Sequence, residues 1–152
     1  MMNSRFLSLG LVAAAFALSV PVLADSDVKS AVQHVLGQEG RLDRDIARDD
    51  VRKPVEVLDF LGIQPSMRVL DVLSGGGYYA ELLHRYVKDD GHVVMFNAPP
   101  YLKFAKDELA ARFSEGRMSA IEQYVVDVAD MDFEDAQFDA VFFGLGYHDL
   151  YY

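Results

Sequence analysis

The stretch VLDVLSGGGYY, residues 69–79, decides the fold of this chain. Its aliphatic residues suit a β-strand that is buried on both faces. Glycines at the carboxyl end of such a strand let the backbone turn sharply and let a ligand approach, because no Cβ stands in the way. A helical pattern opens directly afterwards, and the first turn of a helix presents unpaired N–H groups and the positive end of the helix dipole. The stretch therefore predicts a strand, a tight turn and a helix that together hold a nucleotide-like ligand.

Apolar runs and helical patterns alternate along the rest of the chain. The predicted helices cover residues 28–37, 54–61, 78–87 and 101–113, and the predicted strands cover residues 67–73, 92–96, 121–126 and 138–143. Such alternation is typical of βαβ units, so we expect an α/β fold with a doubly wound, mainly parallel sheet. Ligands of these sheets bind beyond the carboxyl ends of the strands, and the three glycines lie there.

The first 24 residues have the layout of a secretory signal peptide. Arg5 supplies a positive charge, residues 6–20 form an apolar run, and Val22 and Ala24 stand at the −3 and −1 positions of a cleavage site. The 15-residue run is shorter than the about 20 residues that span a bilayer, which favours cleavage after Ala24 over a retained anchor. The sequence therefore predicts export to the periplasm, with no stable membrane anchor on the mature chain.

Composition excludes several classes of function. The chain carries a formal net charge of −10 and contains no cysteine. Without a basic stripe to meet phosphate groups, it is not expected to bind nucleic acid. Without cysteine it has no disulfide or thiol nucleophile. His34, His84 and His92 have no acidic or histidine partner at metal-ligand spacing, so no metal is predicted.

Charge is concentrated in residues 39–53, which we interpret as a solvated, ion-paired segment. The chain thus divides into three parts. The signal peptide covers residues 1–24, a helical and charged N-terminal segment covers 25–53, and a ligand-binding domain covers 54–152.

The acid and the glycines after the first strand resemble the cofactor half of the class I S-adenosylmethionine-dependent methyltransferases. In that family the first strand ends in an acid and is followed by a loop of the form G-x-G-x-G. Asp71 matches the acid, and Gly75 and Gly77 match the last two glycines. Leu73 stands where the first glycine usually is. The resemblance implies a Rossmann-like sheet, S-adenosyl-L-methionine as the cofactor and methyl transfer to a small-molecule acceptor.

A combination of three segments resembles a more specific group, the exported, signal-peptide-bearing methyltransferases. The segments are RDDVRKP at 48–54, GGGYY at 75–79 and YHD at 147–149. The resemblance covers roughly residues 40–152, which is nearly all of the mature chain.

The resemblance also implies roles for single residues. Asp71 fixes the loop or accepts a hydrogen bond from the methionine ammonium group, and Asn97 binds the ribose hydroxyls. Asp127 accepts from the adenine amino group, and the backbone of Val128 donates to a ring nitrogen. The implied cofactor-binding residues are Asp71, Gly75, Gly76, Gly77, Asn97, Asp127 and Val128. Each of two residues has an alternative interpretation of equal weight. Asn97 can serve only to form a turn ahead of two prolines, and Asp127 can be one of several acids in a solvated loop.

The implied catalytic residues, His148 and Asp149, follow the fourth predicted strand. Methyltransferases often place groups that face the acceptor there. Imidazole titrates near neutrality, so His148 is interpreted as a general base for a hydroxyl or amine, with Asp149 orienting it. The alternative is a loop histidine beside a capping aspartate.

Two other functions stay open at this point. The spacing Gly75-x-Gly77-x-x-Ala80 also fits the dinucleotide fingerprint, which indicates an NAD(P)-binding oxidoreductase. That fold usually carries an acid about 20 residues later, near Asn97. A full class I core has more strands than the four indicated here, so we expect a C-terminally incomplete sheet whose fourth strand is an uncovered edge. A non-catalytic exported binding domain, or a truncated fragment, is the second alternative.

Overall fold

The computed structural model describes residues 25–87 and 90–147. The predicted signal peptide, His148 and Asp149 lie outside these residues. The helices are α1 (Asp25–Leu36), α2 (Asp43–Ile46), α3 (Asp49–Arg52), α4 (Pro54–Leu61), α5 (Tyr78–Val87) and α6 (Pro99–Phe113). The strands are β1 (Arg68–Val72), β2 (His92–Asn97), β3 (Glu122–Val125) and β4 (Ala140–Phe142). Short 3₁₀ turns occupy Ser114–Gly116 and Val128–Asp130.

The four strands form one parallel sheet in the order β3-β2-β1-β4. Asp71 in the central strand β1 is in register with Met95 of β2 and with Phe142 of β4. The parallel α/β arrangement expected from the sequence is therefore confirmed. Because all four strands run the same way, their carboxyl ends meet at one edge, which we call the carboxyl edge of the sheet.

Apolar side chains pack on both faces of the sheet. The larger cluster joins α1, α4 and α5 to one face and includes Val69 and Leu83. The smaller cluster covers the other face and includes Leu70 and Phe96. Successive side chains of a strand point to opposite faces, so the neighbours Val69 and Leu70 enter different clusters. The apolar run of β1 is thus buried from both sides, as its composition predicts.

Local sequence explains how α3 gives way to α4. Lys53 has a φ of 49°, a left-handed conformation that ends α3. Pro54 then begins α4, because its fixed φ suits the first helical position. Gly62 ends α4 with a φ of 64°, which glycine adopts at little cost. The RDDVRKP segment therefore lies beside the glycine-containing loop that follows β1, at the carboxyl edge of the sheet.

Strand β4 lies at one side of the sheet and pairs only with β1 among the described strands. Its Val141 is 61% exposed. No helix within residues 25–87 and 90–147 is long and apolar enough to cross a membrane.

The charged segment at residues 39–53 is not solvated throughout. That interpretation is wrong for Arg41 and Asp45, which are 7% and 2% exposed. Arg41 donates to both carboxylate oxygens of Asp49, at 2.7 and 2.6 Å, and Asp45 accepts from Arg112 at 2.7 Å. The segment folds back beside α6 and meets opposite charges there. The buried charges of Arg41 and Asp45 are therefore compensated by partners inside the protein rather than by water.

Candidate functional site

The residues between β1 and α5 form a tight loop at the carboxyl edge of the sheet. Leu73, Gly75 and Gly77 have φ values of 50°, 59° and 78°. Glycine adopts this left-handed region readily, whereas it costs other residues about 1–2 kcal/mol. The Ser74 N–H donates to the Phe96 carbonyl at 3.0 Å, which ties the loop to β2. The loop therefore has the backbone form that its glycines predict, with strain at the one position where leucine replaces glycine.

Asn97 closes the loop from the neighbouring strand. Its amide oxygen accepts from the Gly75 N–H at 2.8 Å, and its amide nitrogen donates to the Gly75 carbonyl at 3.0 Å. Asn97 is 1% exposed, so in this structure its side chain holds the loop backbone. An amide keeps a second N–H and a second lone pair. Those are the groups left for the ribose role, which stays a prediction.

Asp71 is the buried acid beneath the loop, with 2% of its surface exposed. Its carboxylate accepts from the Ser74 hydroxyl at 2.6 Å. Burial raises the pKa of Asp71 to about 7, against the lowering effects of the Ser74 hydrogen bond, a backbone hydrogen bond from Ala80 and the positive charge of Arg52. A cation beside this carboxyl group would stabilise its charged form. Asp71 thus has the burial and the chemistry of a cation-binding acid.

Two side chains of α6 pack directly on the middle of the loop. The Cβ of Glu108 lies 2.6 Å from the position that a Cβ on Gly76 would take, so only glycine fits there. Arg112 is fully buried, and its Nε donates to the Gly76 carbonyl at 2.5 Å. Arg112 also forms ion pairs with Asp45, at 2.7 Å, and with Glu81. Helix α6 therefore fixes the loop both by contact and by a hydrogen bond.

The tyrosines that follow the glycines bind α3. The Tyr78 hydroxyl donates to Asp49 at 2.7 Å, and the Tyr79 hydroxyl donates to the Arg52 carbonyl at 2.7 Å. Burial and the hydrogen bond to Asp49 raise the pKa of Tyr78, so its hydroxyl keeps the proton that it donates. The Arg52 guanidinium lies over both rings, 4.9 Å from the centroid of Tyr78 and 5.9 Å from that of Tyr79. The segments RDDVRKP and GGGYY are thus in direct contact.

A cavity of about 170 Å³ opens above Asp71, and we call it the loop cavity. Its charged and loop-derived lining residues include Asp71, Glu108, Arg48, Arg52, Ser74, Gly75 and Gly76. Arg48 is paired with Asp45 at 2.5 Å, but its contact with Glu108 is 3.5 Å long. At Gly75 no atom lies within 4 Å of the Cβ position, so the loop is open to a ligand there. The lining thus places acidic and basic side chains near each other, which complements a ligand with adjacent positive and negative groups.

Comparison with known proteins identifies the family. The family model of the protein-L-isoaspartate(D-aspartate) O-methyltransferases matches residues 51–149. The chain belongs to this family. The resemblance to methyltransferases noted in the sequence is thereby confirmed, and the closer resemblance to an exported group stays a prediction. No curated protein matches the sequence.

Two solved structures are similar to this chain. A SAM-dependent methyltransferase from Aquifex aeolicus is 21% identical, with a TM-score of 0.57, and the match covers 80% of this chain and 59% of that one. A protein-L-isoaspartate O-methyltransferase is 23% identical, with a TM-score of 0.46, over 60% of this chain and 28% of that one. The chain therefore spans less than two thirds of the length of either protein. The Aquifex structure confirms a Rossmann-like, mainly parallel sheet.

The predicted cofactor-binding residues lie in three places in the structure. Asp71, Gly75 and Gly76 line the loop cavity. Gly77 lies on the side of the loop that faces α6, and Asn97 lies beneath the loop. Asp127 and Val128 are exposed after β3, at the same edge of the sheet but two strands from β1. Their roles stay predictions, as do those of His148 and Asp149, which lie outside the described residues.

Sequence reasoning missed the charged residues around the loop. Arg48 and Arg52 belong to the RDDVRKP segment, but the sequence assigns no individual role to either. Their spacing of four residues puts both on one side of a short helical stretch, which was the available signal. Glu108 and Arg112 are also four residues apart, on α6, but nothing local distinguishes them from solvated charges. Within residues 25–87 and 90–147 no group of histidines and acids is placed to hold a metal ion.

Proposed function

We propose that this chain binds S-adenosylmethionine above Asp71 and takes part in methyl transfer from that cofactor to an acceptor. One observation carries the proposal: a buried acid at the carboxyl end of the central strand shares the loop cavity with arginines and an open glycine loop. Membership of an O-methyltransferase family supports it. The same membership favours this function over that of an NAD(P)-binding oxidoreductase.

The lining of the loop cavity fits the amino-acid end of the cofactor. Asp71 is an acceptor for an ammonium group, and the bound cation favours the charged carboxylate that burial alone disfavours. Arg48 pairs with Asp45 through Nη2, but its Nη1 makes only a 3.5 Å contact with Glu108, so Nη1 is the nitrogen that can donate to a carboxylate. The loop cavity, at about 170 Å³, is smaller than the about 300–1,000 Å³ usual for ligand sites. We therefore assign the nucleoside to the carboxyl edge beyond the cavity.

The remaining roles follow from the sequence. Asn97, Asp127 and Val128 are proposed to bind the nucleoside at that edge. When bound, the cofactor supplies an electrophilic methyl group, and the chain contributes binding and orientation. His148, oriented by Asp149, is the proposed base that takes the proton of a hydroxyl or amine acceptor.

Binding of S-adenosylhomocysteine tests the proposal. Calorimetric titration is expected to give saturable binding to the wild type and binding at least about tenfold weaker to Asp71→Asn, because the ammonium loses a charged partner. Asp107→Asn, an exposed acid next to Glu108 on α6, is the matched control and is expected to bind as the wild type does. Unchanged affinity in Asp71→Asn, or saturable binding of NADH alone, would refute the proposal.

The acceptor is proposed to be a small molecule, and the protein is proposed to act in the periplasm after cleavage behind Ala24. A second candidate acceptor is an isoaspartyl residue of a protein, which the description of the matching family favours. Transfer of labelled methyl from the cofactor to an isoaspartyl peptide would establish the second acceptor. Recovery of a chain that begins at Asp25 from a periplasmic fraction tests the location.

A further inference from the structure

A second cavity, of about 460 Å³, adjoins the loop cavity. We call it the apolar cavity, because most of its lining is aliphatic or aromatic. Its apolar lining comes from Val51, Val57, Tyr79, Phe142 and Leu145. Arg48 and Arg52 line both cavities. A molecule in the apolar cavity would thus lie next to a ligand in the loop cavity.

Arg52 gives the apolar cavity an unusual positive group. Among the described residues, no carboxylate lies within ion-pairing distance of its guanidinium, whereas Arg41, Arg48, Arg85, Arg112 and Arg117 all pair with acids. Arg52 is instead held by the two tyrosine rings, at 4.9 and 5.9 Å. A guanidinium is always charged at neutral pH, and stacking on rings leaves its N–H groups free to donate. Arg52 is therefore a fixed cation between the two cavities: its charge acts on Asp71 in the loop cavity, and its guanidinium also lines the mostly apolar space of the second cavity.

We propose that the apolar cavity binds a small organic anion with an apolar body, whose anionic group rests on Arg52. This inference rests on the proposed function, in which such an anion is the methyl acceptor. A cavity of about 150 Å³ holds benzene, so about three times that volume accommodates a single-ring aromatic acid or a medium-chain fatty acid. The apolar lining takes the body, and Arg52 compensates the charge.

The same lining disfavours a peptide. Each peptide unit brings an N–H and a C=O group, and burial of such a group without a partner costs about 1–3 kcal/mol. The described lining offers these groups few partners besides the two arginines. A compact anion leaves no such group unpaired. The apolar cavity therefore favours a free acid over an isoaspartyl peptide.

Binding of 3-phenylpropionate, compared with its neutral amide, tests the inference. Titrations use the full chain, with and without S-adenosylhomocysteine. Arg52→Met removes the cation, and Val51→Asp adds an opposing charge at a residue that is 85% exposed, where a change of fold is not expected. Lys53→Gln removes the neighbouring exposed charge, which does not line the cavity, and is the matched control.

The wild type and Lys53→Gln are expected to bind the acid at least about tenfold more tightly than the amide, and Arg52→Met and Val51→Asp are expected to lose that preference. If Arg52→Met does not fold, Val51→Asp decides the question alone. Three results would overturn the inference. They are equal binding of acid and amide to the wild type, an unchanged preference for the acid in Val51→Asp, and displacement of the bound acid by an isoaspartyl peptide alone. If the chain binds the acid but not S-adenosylhomocysteine, the subsite is supported and the proposed function is refuted. If it binds S-adenosylhomocysteine but not the acid, the proposed function is supported and the subsite is refuted.

Discussion

Leu73 has a left-handed backbone conformation while its side chain is 5% exposed. Two effects therefore oppose each other at one residue: strain of the backbone and burial of the side chain. We expect Leu73→Ala and Leu73→Gly both to be less stable than the wild type, because burial of an aliphatic side chain contributes about 1.5–3 kcal/mol. We also expect Leu73→Gly to be more stable than Leu73→Ala by about 1 kcal/mol, because only glycine relieves the strain.

Urea unfolding of the two variants measures this difference. The same pair of substitutions at Leu70 is the control, because Leu70 is equally buried but lies in β1 with ordinary strand geometry. There the order should reverse, with Leu70→Ala more stable than Leu70→Gly. The same order at both positions would contradict the assignment of strain to Leu73.

Asp71 is expected to give the stability of the protein an unusual dependence on pH. Its folded-state pKa is about 7, raised by burial from 3.8. Between about pH 4 and 7 the folded state therefore holds a proton that the unfolded chain has released, so the free energy of unfolding falls as pH rises. The full effect of three pKa units is on the order of 4 kcal/mol and is complete above about pH 7.

Unfolding of the wild type and of Asp71→Asn between pH 4.5 and pH 8 tests this prediction. The difference between the two proteins isolates Asp71 from other groups. Asp49, for example, has a lowered pKa: burial acts to raise it, but bonds from Arg41 and Tyr78 outweigh burial. Its contribution is therefore lost only on acidification. Parallel pH profiles for the two proteins would show that Asp71 does not carry the raised pKa.

Among the elements, α6 holds the middle of the glycine loop. Arg112 joins this helix to the Gly76 carbonyl, to Asp45 of α2 and to Glu81 of α5. Removal of one partner leaves the others buried and uncompensated, which typically costs about 3–5 kcal/mol. Asp45 and Glu81 keep Arg48 and Arg117 as partners, so we expect Arg112→Met to destabilise by about 3 kcal/mol.

Thermal unfolding, together with titration of S-adenosylhomocysteine well below the midpoint, separates two effects of Arg112→Met. Weaker binding by the folded variant would show that Arg112 positions the loop as well as stabilising the fold. Lys106→Met, at an exposed position of α6, controls for the loss of one positive charge. Equal stability of the two variants would contradict the buried network.

At the scale of the whole molecule, the sequence predicted the fold more fully than the site. All four strands lie at the predicted positions. Apolar runs and helical periodicity can be recognised from neighbouring residues alone, without knowledge of the tertiary structure. Asp71 and the glycines were found for the same reason, since they lie in one short stretch. Arg52 and Glu108 acquire their roles only when α3 and α6 fold against that stretch. The four-residue spacing of Arg48 and Arg52 is the one local signal, and no local pattern marks Glu108.

The sequence by itself determined the alternation of strands and helices and the sharp turn after β1, because both depend on residues that are neighbours in the chain. Tertiary structure alone decided which charges are buried. Arg112 meets a partner 31 residues away in Glu81 and one 67 residues away in Asp45. It also decided that Asn97 holds Gly75, 22 residues earlier. The physical reason is that a charge is hydrated or paired according to what packs against it, and that packing is set by the whole fold.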